Sequence, residues 1–282
     1  MAPKSPGSAP RRHWAPIPDP AGKYSSGIPD FDQLLSGGFS RGSLALFHLD
    51  ANITPEDRDL IFSPILLNFL HQSRGVIAVL PARDSPHGFR ERLTRYTTRR
   101  RFDARVRICE YVGEDDEAPY VVSLRDSARM AGKEGTAAAK KSARTKDMGK
   151  MVEAERAAQG KRKRSYLEFN AFEMIEMICG AETATRMFLH GIKRARQVDN
   201  LLIGLLRPGL SCADSVRAMA DTQFALRHSE VGLVIRGLQP AFPEHVVTID
   251  RAFGAPHVAF VPGPDSTHLA LPKAAPLRAR RD

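Results

Sequence analysis

Leu201-Leu-Ile-Gly-Leu-Leu206 is an unbroken apolar run, too short to be an amphipathic helix and without the alternation of a half-solvated strand. Such a run suits a central strand of a parallel sheet, buried on both faces by helices. Leu44 to Leu49 and Val76 to Leu80 read as two more buried strands, and the apolar stretch Leu60 to Gln72 between them reads as a helix. That alternation is a βαβ unit. Ahead of it, Pro29 to Ser36 has the spacing of a short helix opened by proline and closed by the pair Gly37 and Gly38. Further strands are predicted at Val106 to Val112 and Tyr166 to Phe169, and helices at Glu182 to Gln197 and Ser215 to Asp221. Gln223 to Leu226, Gly232 to Arg236 and His245 to Asp250 read as closing strands.

With 282 residues, 42% of them hydrophobic, the chain can bury one full core, and one large α/β domain over residues 24–261 is expected. Residues 1–23 and 262–282, rich in Pro, Ala and Ser or Arg, are expected to be a disordered N-terminal tail and a flexible C-terminal tail. No segment approaches the ~20 apolar residues of a membrane span, and no apolar run resembles a signal-peptide core, so a soluble cytoplasmic protein without a membrane partner is expected. Cys109, Cys179 and Cys212 are far apart and form no CxxC pair, and the nine histidines show no HExxH or related spacing. Neither a disulfide framework, a metal site nor a resident cofactor is expected.

The formal net charge is +10, and its source is local. Residues 125–165 hold 13 cationic and 5 anionic side chains and almost no large apolar ones, the composition of a disordered basic insertion. Lys140, Lys141, Arg144 and the run Lys161, Arg162, Lys163 and Arg164 are candidate contacts to the phosphates of DNA or RNA. Few aromatics interleave them, so base stacking has little support, and a solvated or partner-binding loop is the competing reading. A second cluster, Arg95, Arg99, Arg100, Arg101 and Arg105, suits the C-terminal end of a helix, whose dipole favours cations.

The segment Ser26-Gly-Ile-Pro-Asp-Phe-Asp-Gln-Leu-Leu-Ser-Gly-Gly-Phe-Ser-Arg-Gly-Ser43 resembles the opening of RecA-superfamily domains of the KaiC and RadA type. Asp84-Ser85-Pro86 is similar to the Glu-Glu-Ser-Pro run of KaiC-like proteins. Met219-Ala-Asp-Thr-Gln-Phe-Ala-Leu-Arg227 and Val234-Ile-Arg-Gly237 resemble the family's Ala-Asp-Thr strand entry and its Lys-x-Arg-Gly signature. The resemblance covers about residues 24–250 without the insertion. It implies a RecA-like, doubly wound, mainly parallel sheet with helices on both faces.

The family's chemistry does not follow with the same force. A phosphate loop (Walker A) needs G-x-x-x-x-G-K-[ST] after its strand, so that backbone N–H groups and a lysine surround the phosphates while a hydroxyl holds magnesium. Here the chain reads Asp50-Ala-Asn-Ile-Thr-Pro-Glu-Asp-Arg-Asp59, with no glycine or lysine and with four carboxylates that would repel a triphosphate. Where the resemblance implies two catalytic carboxylates, the chain has Arg83 and Asp84. Where it implies the magnesium-supporting (Walker B) Asp, the chain has Asn170, with Glu168 on the same side of the strand, and the signature lysine is replaced by Val234, leaving Arg236. A degenerate nucleotide site of Asp84, Glu168, Asn170 and Arg236 with no catalytic residue is therefore expected.

On this reading the protein is a pseudo-ATPase, a noncatalytic regulatory or assembly subunit forming a homo-oligomer or pairing with an active RecA-like homologue. Two other readings stand beside it: a nucleic-acid-binding protein using the basic insertion, and an ATPase with an unconventional nucleotide site.

Overall fold

The computed structural model describes residues 15–81, 84–114, 117–123, 152, 156–157, 165–250 and 257–263. Twelve strands are described: β1 Lys23–Tyr24, β2 Phe39–Ser40, β3 Leu44–Leu49, β4 Gly75–Val79, β5 Val106–Glu114, β6 Glu117–Ser123, β7 Tyr166–Ala171, β8 Leu201–Leu206, β9 Thr222–Ser229, β10 Gly232–Gln239, β11 Ala241–Asp250 and β12 His257–Pro262. The helices are α1 Pro29–Leu34, α2 Pro55–His71, α3 Pro86–Thr94, α4 Arg99–Arg105, α5 Phe172–Cys179, α6 Ala181–Val198 and α7 Ala213–Met219.

Apart from the small β1–β2 ladder, the strands form one ten-stranded sheet in the order β12-β11-β10-β9-β3-β8-β7-β4-β5-β6. The six inner strands from β9 to β5 are mutually parallel. The flanking strands β10, β11, β12 and β6 are antiparallel. β3 and β8 lie side by side, Leu44 opposite Leu202 and Leu46 opposite Gly204, which explains why both sequences are apolar throughout. The fold is the expected α/β class with a large, mainly parallel sheet.

Two hydrophobic layers cover the sheet. One, under α1 to α4, is rich in phenylalanine: Phe47 of β3 meets Phe62 of α2 edge to face, ring centroids 4.8 Å apart, and Phe31 packs on Phe224 at 5.1 Å. The other, under α5 to α7, holds Phe172 stacked on Phe188, with Leu44, Leu46, Ile77 and Val79 from the opposite face of the same strands. The period of two in β3 and β4 thus splits their side chains between both cores.

Two expectations on order need correction. Residues 15–23 are not a free tail: Ile17 donates its N–H to Asn68 Oδ1 at 2.8 Å and accepts at its carbonyl from Asn68 Nδ2 at 3.2 Å and Gln72 Nε2 at 2.7 Å. Asp19 pairs with Arg74 and, at 3.6 Å, with Arg41. A composition rich in proline and glycine suggested mobility, but buried Asn68 on α2 gives this segment's backbone partners that no composition rule anticipates. Within the basic insertion, the described residues Val152, Arg156 and Ala157 are helical, and Val152 and Arg156 are buried. The insertion is therefore not a free loop at that point. Lys140, Lys141, Arg144 and Lys161 to Arg164 lie outside the described residues.

The segment that carries the family resemblance has a structural explanation. Asp32 accepts hydrogen bonds from Ser26 N at 2.7 Å and from Ser25 Oγ at 2.5 Å, which folds the turn ahead of α1 back on that helix. Gly27, at φ +79°, sits so close to α2 that an added Cβ would stand 2.8 Å from the Pro64 carbonyl oxygen. These residues shape the approach to β3 and touch no phosphate seat.

Candidate nucleotide seat and its internal occupants

β3 ends at Leu49, and residues 50–54 carry the chain to α2. The apolar stretch alone puts the start of this helix at Leu60. The structure starts it at Pro55, with Thr54 as N-cap, Pro55 at the first position and Asp57 closing a reciprocal capping box. Thr54 Oγ1 accepts from Asp57 N at 3.2 Å, while Asp57 Oδ2 accepts from Thr54 N at 2.9 Å and from Thr54 Oγ1 at 2.7 Å. His228 Nε2, from β9, lies 2.9 Å from the same oxygen. Burial works to raise the Asp57 pKa, but the hydrogen bonds from Thr54 and His228 outweigh it and the group stays below its ordinary value. The positive end of α2, which in a phosphate loop faces the ligand, faces the protein's own carboxylate.

The concave side of the loop is taken as well. Arg207, just past β8, donates to the carbonyl oxygens of Asp50 (3.3 Å), Ala51 (3.1 Å) and Ile53 (3.0 Å). Its Nε pairs with Glu173 of α5 at 2.8 Å. A phosphate cradle directs N–H donors inward. This loop directs three carbonyls at a guanidinium, the opposite polarity.

Beside it lies a chain of charges. Arg58, on the first turns of α2 and 3% exposed, pairs with Asp84 at 3.0 Å, an ion pair without well-angled hydrogen bonds. Arg92 of α3 lies 3.7 Å from Asp84 and pairs more closely with Asp59. Burial is the main cause that lifts the Asp59 pKa to about 6, opposed by Arg92 and assisted by Asp84. Burial likewise lowers the Arg58 pKa, against the pull of Asp84. Asp84 is thus shared by two arginines. The described residues contain no group of three or more His, Cys, Asp or Glu side chains placed to hold a metal ion.

This geometry yields a pH prediction. Asp59 binds its proton more tightly folded than unfolded, so the native state is favoured at low pH, and this contribution fades as pH rises from about 4 through about 6. Asp59→Asn removes it. Relative to wild type, the variant is expected to be more stable at pH 7.5 than at pH 4.5 by roughly 1–2 kcal/mol. Urea unfolding at the two pH values measures the difference, and equal offsets at both would refute the assignment.

The remaining candidates are not gathered here. Glu168 and Asn170 point from β7 to the other face, under α6. There Glu168, 1% exposed, is held by Arg156 through two hydrogen bonds of 2.7 Å, from Nε to Oε1 and from Nη2 to Oε2. Both oxygens of Glu168 are thus taken by Arg156. Asn170 is buried, in register with Val79 and Gly204, and its Oδ1 has no hydrogen-bond partner among the described residues. Arg236 lies exposed on β10, beyond β9 from β3, opposite Ala225. Arg83 is outside the described residues. The sequence reading missed Arg58, Arg92, Arg207 and His228, whose signal was weak: alternating charge in Asp57-Arg58-Asp59, and an arginine directly after a fully apolar strand.

The second basic cluster is placed as expected only in part: Arg95 caps the C-terminus of α3 and Arg105 stands in the last turn of α4. Arg99, Arg100 and Arg101 open α4 rather than close a helix. Asp103 offsets the unfavourable dipole by pairing with Arg90 at 2.6 Å and Arg99 at 3.8 Å, and Arg101 contacts His71 Nδ1 at 2.9 Å.

The sheet, its two helical layers and a loop-to-helix seat at the end of β3 give the chain a KaiC-like α/β fold. A solved KaiC-like protein from the hyperthermophilic archaeon Pyrococcus horikoshii superposes with a TM-score of 0.51, covering 86% of this chain and all of that one at 12% identity. Residues 13–153, half of the chain, match the family model described as GvpD basic region 2, and the chain belongs to the GvpD family. Protein GvpD2 of Halobacterium salinarum is 24% identical over 249 residues, 87% of this chain and 48% of that protein. Protein GvpD1 of the same organism is 33% identical over 106 residues, 37% of this chain and 20% of that protein. The chain spans at most about half the length of the curated relatives it matches. No helix among the described residues is long and apolar enough to cross a membrane.

Proposed function

We propose that this GvpD-family protein is a noncatalytic regulatory or assembly subunit, in which the seat of a KaiC-like domain is filled by the protein's own charges and action is through binding. The observation that carries this reading is the double occupation of the seat: Asp57 on the helix terminus and Arg207 on the loop carbonyls. A triphosphate would have to displace both and approach Asp50, Glu56 and Asp59 besides, a repulsion that low local dielectric strengthens. Partners in this role are further copies of the chain or an active RecA-like homologue, to which exposed Arg236 could be presented across an interface.

Calorimetric titration of the purified protein with ATP and magnesium tests the reading. No heat and no thermal stabilisation at millimolar ATP are expected. Micromolar binding, or magnesium-dependent hydrolysis abolished by Asp84→Ala, would sink it in favour of an unconventional ATPase.

A second reading rests on the concentration of charge in residues 125–165, which supply +8 of the net +10. This insertion binds DNA or RNA if affinity falls steeply with salt and disappears when the stretch is neutralised. Salt-insensitive binding, or none, removes it.

A further inference from the structure

α6 and α7 leave between them an open groove of about 690 Å³. Its apolar wall is Leu189, Ile192 and Met219, and its rim is His190, Lys193 and Arg196. Leu189 is 49% exposed, one of only a few large apolar side chains so placed among the described residues, and Ile192 beneath it is 4% exposed. Leu189, Ile192 and Arg196 follow each other at helical spacing along one side of α6, and one turn back Arg186 pairs with Glu182 at 3.6 Å. Arg196 pairs with Asp221 at 3.2 Å, and that pair is solvent-exposed and correspondingly weak.

We propose that this groove docks an acidic amphipathic helix of a partner protein. The inference deepens the reading of the chain as a binding subunit by naming the surface and the chemistry of what it takes. From Leu189 to Arg196 the groove runs about 10 Å, two turns of a facing helix. Two or three apolar side chains spaced i, i+3, i+4 would enter over Leu189 and Met219, and flanking carboxylates would meet Lys193 and Arg196. Charge selects the occupant: the lining of the groove carries Lys193 and Arg196 and no carboxylate, and Asp221, beside it, is engaged by Arg196. A nucleic-acid strand fits less well, because no Phe, Tyr or Trp lines the groove to stack a base and its floor offers apolar side chains where phosphates need donors. A membrane surface fits less well too, since α6 exposes Leu189 alone among the groove's large apolar side chains.

The test uses the full chain and a fluorescein-labelled synthetic peptide of 18 residues, leucines at i, i+3, i+4 and i+7 with glutamates between, read by anisotropy without nucleotide. Saturable binding is expected, weakened at least tenfold by Leu189→Asp and by Lys193→Glu, and partly retained in Lys193→Gln. Val231→Asp, at an exposed apolar position in the turn between β9 and β10, at the other end of β9 from α7, should bind as wild type does, and circular dichroism with thermal unfolding establishes that each variant is folded. The same peptide with lysine for glutamate should not bind. The proposal is overturned if the wild-type protein does not bind the acidic peptide, if the lysine peptide binds equally, or if folded groove variants bind like wild type. It is overturned in favour of nucleic acid if duplex DNA occupies the groove with loss on Lys193→Glu while the peptide does not. It is overturned in favour of self-association if sedimentation shows a wild-type dimer that Leu189→Asp dissolves. Because nucleotide is absent throughout, failure here leaves the reading of the filled seat to its own titration.

Discussion

Arg156→Met is expected to lower the unfolding free energy by about 3–5 kcal/mol, the cost of stranding a buried carboxylate. Glu168 is 1% exposed and both its oxygens are held by the Arg156 guanidinium at 2.7 Å. The site beneath α6 is tight: a Cβ added at Gly191 would fall 2.4 Å from Arg156 Nη2. Water cannot readily take the arginine's place. Glu168→Gln should also destabilise by removing the charge that faces the guanidinium, whereas the double replacement Arg156→Met with Glu168→Leu should recover most of the loss, since a buried pair often contributes little over a well-packed apolar pair. Urea unfolding of the three variants measures all of this. A loss below 1 kcal/mol for Arg156→Met would mean that the pair is solvated and the insertion is not anchored to the sheet there.

Gly38→Ala is the second large effect. Gly38 stands at φ +110°, outside the regions open to L residues, and an added Cβ would lie 2.3 Å from the Tyr24 carbonyl oxygen and 3.0 Å from its carbon. Both atoms are backbone of the β1–β2 ladder, in which Tyr24 pairs with Phe39, so neither can move alone. A loss of at least about 3 kcal/mol is expected, combining conformational strain with the clash. Gly22→Ala supplies the control: its φ is +71° and nothing lies within 4 Å, so only the cost of left-handed backbone applies, about 1 kcal/mol. Thermal unfolding that placed the two variants level would show that strain, and not the approach of Tyr24, governs the site.

The parallel core was legible because its strands are apolar on both faces; Leu44–Leu49 and Leu201–Leu206 fall where periodicity put them. The start of α2 was not, because Pro55-Glu-Asp-Arg-Asp59 is polar and carries no apolar period. Its helicity comes from a cap and a proline, signals that count only when read with the Thr54 and Asp57 spacing. α5 was missed because Phe-Glu-Met-Ile-Glu-Met-Ile-Cys follows a strand without a turn residue to mark the break. Of the candidate seat, the absence of glycine and lysine could be read directly. Its actual occupants could not, since Arg207 and His228 reach residues 50–57 from strands more than 150 positions later, and only the sheet order brings them together. Glu168 and Asn170 were placed on one side of β7 correctly, but which face that side met depended on α6 and on a segment whose composition concealed its packing.

One end of the sheet carries a further consequence. Phe260 of β12 donates its N–H to Asp30 of α1 at 2.9 Å, and its ring sits 5.2 Å from that of Phe31. The terminal strand is thereby stoppered by a side chain, since an N–H already spoken for cannot recruit an incoming strand. An incoming strand would have to break that bond before it could pair along β12, so growth of the sheet at this edge begins at a cost.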